Sequence, residues 1–169
     1  MAHLHALDIA AALRLAQVPE ATYQRLADDL GVSLSQAHSS VGRLHSSRLL
    51  LAGRRRVNAH ALLEFLEHGV QYAFPAIVGG EARGVATAYA APALVEELVV
   101  DQPMVWPSGG GDAFGPSIDP LYPQAVTLPQ RCPELYGALA LVDALRVGRV
   151  RERKLAADAL GRVVRPASQ

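Results

Sequence analysis

Between Pro103 and Pro133 the chain carries seven prolines and four glycines in 31 residues, including the run Gly109-Gly110-Gly111. Proline lacks a backbone N–H and locks φ, so this density excludes a continuous helix or a central strand there. Trp106, Phe114, Ile118, Leu121, Tyr122, Val126 and Leu128 are spread through the same stretch. A flexible linker has no use for so many large apolar groups, so an ordered but irregular segment draped over a core is expected, with a mobile tip at Ser108–Asp112. Just upstream, Pro92 marks the first turn of one short expected helix near Ala93–Val99.

Helical periodicity dominates on both sides. His5–Gln17 spaces Leu7, Ala11 and Leu15 as one helical face, and Val18-Pro19 ends it. A second helix is expected over Thr22–Leu30, closed by Gly31, where a left-handed residue costs least. Ser33 is the natural N-cap of a third, Leu34 to about Ser47. LLLAGRRRVN then reads as a small hairpin around Gly53. Asn58 can cap a fourth helix to about Tyr72, with Leu62, Leu63, Leu66 and Val70 inward. Beyond the Pro-rich stretch, Glu134–Val147 is apolar almost all round and is expected to be buried on most sides. Arg149–Val164 is amphipathic, with Leu155, Ala159 and Val163 on one face, and completes a helical hairpin.

Half of the 169 residues are hydrophobic and 19% are charged, enough apolar surface for a core. No apolar run reaches the length of a membrane span, and His3 and His5 interrupt any signal-like opening. The single cysteine, Cys132, excludes an internal disulfide framework and a Cys-rich zinc site, and a reducing cytoplasm is the expected location. The formal net charge of zero conceals a segregation: residues 1–56 carry +3, 57–145 carry −8, and 146–169 carry +5. No acid occurs between Asp29 and Glu64, while Arg43, Arg48, Arg54, Arg55 and Arg56 all do. A neutral chain with such a window can bind a polyanion locally, because only charges at the contact face neutralise phosphates.

The stretch Thr22–Leu50, TYQRLADDLGVSLSQAHSSVGRLHSSRLL, resembles the helix-turn-helix of winged DNA-binding regulators, the MarR-like and IclR-like families in particular. Leu26-Ala27 and Leu30-Gly31 match its first helix and turn, and Val32 matches the apolar turn residue. Ala37, Val41 and Leu44 at i, i+4, i+7 make the buried stripe of its second helix. The resemblance covers about residues 5–72. It implies that Ser35, Gln36, His38, Ser39 and Arg43 face base edges and phosphates in a major groove. Arg54, Arg55 and Arg56 fall at the wing, where such proteins set a basic loop against neighbouring phosphates. Gly42 departs from the pattern: it stands mid-helix in place of a polar helix former, at about 1 kcal/mol of propensity relative to Ala.

Other signals carry less. The six histidines form no cluster at metal-ligand spacing. Ser108–Asp112 lacks the ends of a P-loop or a nucleophile elbow and reads as a loop. Cys132 at a helix start reads as a half-buried, inert thiol rather than a redox switch. Asp143 and Arg146 have the i, i+3 spacing of an ion pair within one helix. The Arg149–Lys154 run reads as a solvated helix face before a second DNA contact.

The expectation is thus a mainly α fold. A winged helix-turn-helix with a small β-hairpin wing over residues 1–72 precedes an irregular acidic segment and a helical hairpin over 73–169. The expected function is sequence-specific double-stranded DNA binding in a homodimeric repressor, without cofactor, metal, catalytic residues or membrane partner. Apolar helix for the dimer contact is available in His5–Gln17 and Glu134–Val147. The competing reading is an antitoxin-like protein whose acidic, Pro-rich segment (73–133) docks another protein while the helix-turn-helix autoregulates.

Overall fold

The computed structural model describes residues 3–165. His5 and Asp8 form a reciprocal capping box at the start of α1 (Ala6–Gln17). Thr22 caps α2 (Tyr23–Leu30), accepting the Arg25 N–H at 3.1 Å, and Gly31 closes that helix in the left-handed region at φ 72°. Ser33 caps α3 (Leu34–Ser46), and Asn58 caps α4 (Ala59–His68). Gly69 then breaks the helix expected to reach Tyr72, and α5 (Val70–Ala73) resumes for one turn. After α6 (Leu128–Arg131) come α7 (Pro133–Val147) and α8 (Val150–Val164). Among the described residues no helix is long and apolar enough to cross a membrane.

α7 is the hub, touching α1, α4, α5, α6, α8 and the sheet. Its uninterrupted apolar run Leu139–Val142 is at most 2% exposed. α1 is equally enclosed: Ile9 to Leu13 and Leu15 have no exposed surface. The apolar faces expected to serve a dimer are therefore consumed within the chain, because each helix is the other's packing partner. α8 turns slightly from the expected face, burying Ala156, Ala159, Leu160 and Val164 while Leu155 and Val163 are half-buried. Tyr122 Oη donates to the Leu30 carbonyl at 2.9 Å, and Gln17 Nε2 to that of Glu134 at 2.9 Å, so both halves of the chain share one core.

The Pro/Gly-rich region is ordered over the core, as expected, but it is not irregular. It holds most of a three-stranded antiparallel sheet, order β2–β1–β3, built from β1 (Glu81–Thr87), β2 (Met104–Pro107) and β3 (Ala113–Pro116). β1, the central strand, contains no proline; Pro107 and Pro116 end the flanking strands, where the missing N–H is tolerated. Gly84 pairs with Pro107 on one side and Ala113 on the other, so residues 108–112 must carry the chain across β1 at that point. Gly111 permits this, while Gly109 and Gly110 have open space around them. A Cβ on Gly111 would lie 2.1 Å from the Gly84 carbonyl carbon, and one on Gly84 would lie 1.9 Å from the Trp106 oxygen. Gly111 is buried in a hydrogen-bonded crossover rather than exposed at a mobile tip. A parallel bridge from Val105 to Ser117 folds the end of β3 back beside β2. The helix expected over Ala93–Val99 is a series of turns instead.

Trp106 fixes this sheet to α7. It has no exposed surface, and its indole N–H donates to Asp143 Oδ2 at 2.6 Å. Thr87 Oγ1 donates to the same oxygen at 2.7 Å, and Arg146 to Oδ1 at 2.8 Å, the i, i+3 pair expected from sequence. Burial pushes the Asp143 carboxyl up, opposed first by the Arg146 charge. Tyr136 packs edge-on against the indole at 5.8 Å and donates to the Ala86 carbonyl at 2.6 Å. Trp106 is thus a core residue, not an anchor awaiting a partner. Its emission in dilute protein should be blue-shifted and resistant to acrylamide. A red-shifted, readily quenched spectrum would contradict the burial.

Candidate nucleic-acid interface

The surface formed by α3 and the turn after it rests on α1 and α2, and two acid–arginine pairs hold the three helices. Asp8, with no exposed surface, accepts both Arg43 Nε and Arg43 NH2 at 2.8 Å and the Ser40 hydroxyl at 2.6 Å. The His5 backbone N–H donates to it as well, at 2.7 Å. Four donors thereby satisfy a buried carboxylate. The Asp8 hydrogen bonds raise the Arg43 guanidinium pKa further, against burial. Between α1 and α2, buried Arg14 donates to Asp29 at 2.7 Å, and the more exposed Arg25 joins from the far side at 2.8 Å.

Two of the expected base readers make contacts within the fold. Arg43 is turned inward as the strut between α1 and α3, because a fully buried acid one helix away outcompetes solvent for its fork. The Gln36 side-chain oxygen accepts the Ser33 N–H at 3.0 Å while the Ser33 hydroxyl accepts the Gln36 backbone N–H at 3.1 Å, a capping box that engages the amide oxygen and leaves the exposed N–H₂ without a hydrogen bond among the described residues. Ser35, His38 and Ser39 remain exposed, as expected from the stripe of Ala37, Val41 and Leu44 on the opposite, buried face. Gly42 shares their exposed face, and a Cβ there would meet nothing within 4 Å.

The expected hairpin is reduced to one antiparallel bridge, Leu50 to Val57, with the Leu51 N–H bonded to the Arg56 carbonyl at 2.8 Å. Gly53 takes φ 69° at its turn. The three arginines within it differ. Arg54 and Arg56 are exposed and make no side-chain hydrogen bond or ion pair among the described residues, as does Arg48. Arg55 is half-buried: its Nε donates to the Ala21 carbonyl at 2.8 Å, and its guanidinium lies 4.9 Å from the Tyr23 ring centre. His38 stacks on that ring, centres 3.7 Å apart and planes 17° from parallel.

Tyr23 therefore joins the turn, α2 and the exposed face of α3 into one surface, a role that helical spacing alone does not reveal. The acid-free window is also less clean in space than in sequence. Glu20 takes φ 60° beside the turn, and its carboxylate accepts the Arg55 backbone N–H at 3.3 Å. Arg48, one residue past the C-cap of α3, is also in the left-handed region at φ 61°, a conformation that favours glycine.

Elsewhere, Cys132 is buried at 3% exposure rather than half-buried, and burial pushes its thiol up. Among the described residues no three His, Cys, Asp or Glu side chains gather where they could hold a metal ion. No protein-family model matches the chain, and no curated protein or solved structure matches it either.

Proposed function

We propose that the chain is a winged helix-turn-helix regulator of transcription that binds double-stranded DNA, with α3 in the major groove and the Leu50–Val57 turn on the flanking backbone. The observation that carries this reading is the Arg55–Tyr23–His38 stack. It sets the turn bearing exposed Arg54 and Arg56 beside the exposed small polar face of α3. Gly42 adds to it. Nothing inside the fold requires glycine at that exposed mid-helix position, so the cost in helix propensity is offset where a partner's backbone approaches closely. Base reading falls to Ser35, Gln36, His38 and Ser39, with the Gln36 N–H₂ donating while its oxygen stays in the capping box. Arg48, Arg54 and Arg56 neutralise phosphates. Homodimerisation on a two-fold operator remains part of the reading, through a face other than α1 and α7.

A labelled random-sequence duplex titrated across salt tests this. The Arg54→Ala/Arg56→Ala variant should bind every duplex more weakly and lower the log–log salt slope by about two units or fewer. Unchanged affinity and slope would remove the turn from the interface, and no duplex binding by the parent protein at low salt would remove the function.

Exposed Tyr72, Ile77, Val78 and Phe114 favour a second reading, in which the middle segment docks another protein and DNA binding serves autoregulation. Under that reading, Ile77→Asp should abolish co-purification of the partner without touching DNA affinity.

A further inference from the structure

The groove between α4 and α8 carries charges of both signs that the fold leaves unpaired. It holds about 450 Å³ between the last turn of α4, with Glu67 and His68, and the first half of α8, with Val150, Arg153, Lys154 and Asp158. Leu145 and Ala157 supply its apolar lining, and an adjoining narrow recess is walled by Leu63, Leu66 and Leu160. Val150 is 86% exposed at the first position of α8, and Glu67, His68, Lys154 and Asp158 are exposed as well.

Lys154 and Asp158 stand four residues apart on one helix, yet neither they nor Arg153 forms an ion pair among the described residues. Glu67 meets only His68, at 3.9 Å. The groove thus sets two acids, Glu67 and Asp158, beside two cations, Arg153 and Lys154, and that balance selects what can cover it. A two-fold contact lays a patch on its own copy, so a patch of one sign repels itself, while a balanced one can pair acid with base twice over. The face bearing Arg48, Arg54 and Arg56 cannot meet its copy for that reason, and nucleic acid in the groove would be repelled by Glu67 and Asp158. A partner of different sequence is steered as well by one sign. Equal numbers of both are what a copy of the same patch requires.

We propose that two copies of this chain meet through this groove, about a two-fold axis beside Val150. Val150 of each copy packs on the partner subunit's Ala157, and Glu67 of each pairs with the partner subunit's Lys154. The two valines form the apolar centre of the contact, and the paired charges fix its register. This contact is the dimer face that the DNA-binding reading calls for, and its test reads mass rather than DNA, so either can fail alone.

Sedimentation velocity of the full chain, from micromolar to submillimolar concentration, should show a species of twice 18.0 kDa that grows with concentration. Val150→Asp should leave a monomer with the parent's far-UV spectrum, since the side chain is exposed within one copy. Glu67→Lys and Lys154→Glu should each weaken the dimer about tenfold or more, because every reversal acts twice across the axis. The double variant Glu67→Lys/Lys154→Glu should return it to within about threefold of the parent. Lys154 is the only lysine of the chain. Carbodiimide coupling in a mixture of isotope-labelled and unlabelled chains should therefore join it to Glu67 in peptides of mixed label. Three results would each overturn the proposal: a monomer throughout that range, a dimer that Val150→Asp leaves intact, or a double variant no tighter than the single ones.

Discussion

Arg43→Ala should destabilise the folded chain by about 3–5 kcal/mol, because it leaves the Asp8 charge buried with its two-pronged partner gone. Asp8 has no exposed surface and the Arg43 side chain is 16% exposed, so solvent cannot replace the guanidinium. The Ser40 hydroxyl and the His5 N–H remain, but they are neutral donors and do not balance a buried charge. With total stabilities of about 5–15 kcal/mol usual for a domain, this loss moves the urea midpoint by a large fraction. The double variant Asp8→Ala/Arg43→Ala should be more stable than Arg43→Ala alone, since no charge is then stranded. A base-reading Arg43 would behave differently. Its removal would leave the midpoint in place and cost about 1–3 kcal/mol on a specific DNA site only. An unchanged midpoint with lost site-specific binding would therefore return Arg43 to the reading face.

Asp143→Ala should be comparably damaging, by about 3–5 kcal/mol, through a different element. It strands three donors at once: the Trp106 indole N–H and the Thr87 hydroxyl, both fully buried, and the Arg146 guanidinium, whose side chain is 6% exposed. Arg146 keeps its 2.8 Å bond to the Phe74 carbonyl, so its charge stays sequestered without a counterion. Because Trp106 and Thr87 belong to the sheet and Asp143 to α7, the loss falls on the docking of one against the other. A fall in Tm of about 10 °C is expected for a chain of this size, with a red shift in tryptophan emission as the sheet loosens. A Tm within about 2 °C of the parent's would show that the sheet is held by apolar contacts alone. Asp143→Asn should lie between the two, since an amide oxygen still accepts from Trp106 and Thr87 while its N–H₂ faces Arg146.

The two variants probe features of opposite legibility. The Asp143–Arg146 pair was readable because i, i+3 spacing on a helix sets the two side chains together wherever the helix lies. The Asp8–Arg43 pair was not readable. Its partners are 35 residues apart on different helices, and an arginine after a run of serines looks the same whether it faces a partner or a buried acid. Gln36 carries a second contact that the reading did not include. Ser33 and Gln36 have the spacing of a capping box, and the structure forms it through the glutamine's oxygen.

What the sequence by itself determined is whatever closes within one or two helical turns. Thr22, Ser33 and Asn58 start their helices, Gly31 stops one at positive φ, and the apolar spacing of Ala37, Val41 and Leu44 selects the buried face of α3. Each depends on side chains and backbone groups a few residues apart, and such contacts are present in any chain that carries them. Tertiary structure alone decided the sheet, the work of the triple glycine and the allegiance of each arginine. β1 meets β2 only after the excursion of residues 88–103, and strand pairing carries no local signature when short edge strands end in proline. Gly109–Gly111 reads as flexibility until Gly84 is seen beneath Gly111, where the approach of two backbones leaves no room for a Cβ, while Gly109 and Gly110 stand in open space. Charge behaves likewise. Along the chain Arg43, Arg54, Arg55 and Arg56 form one basic window, and only folding divides them between a buried acid, an aromatic ring and the solvent.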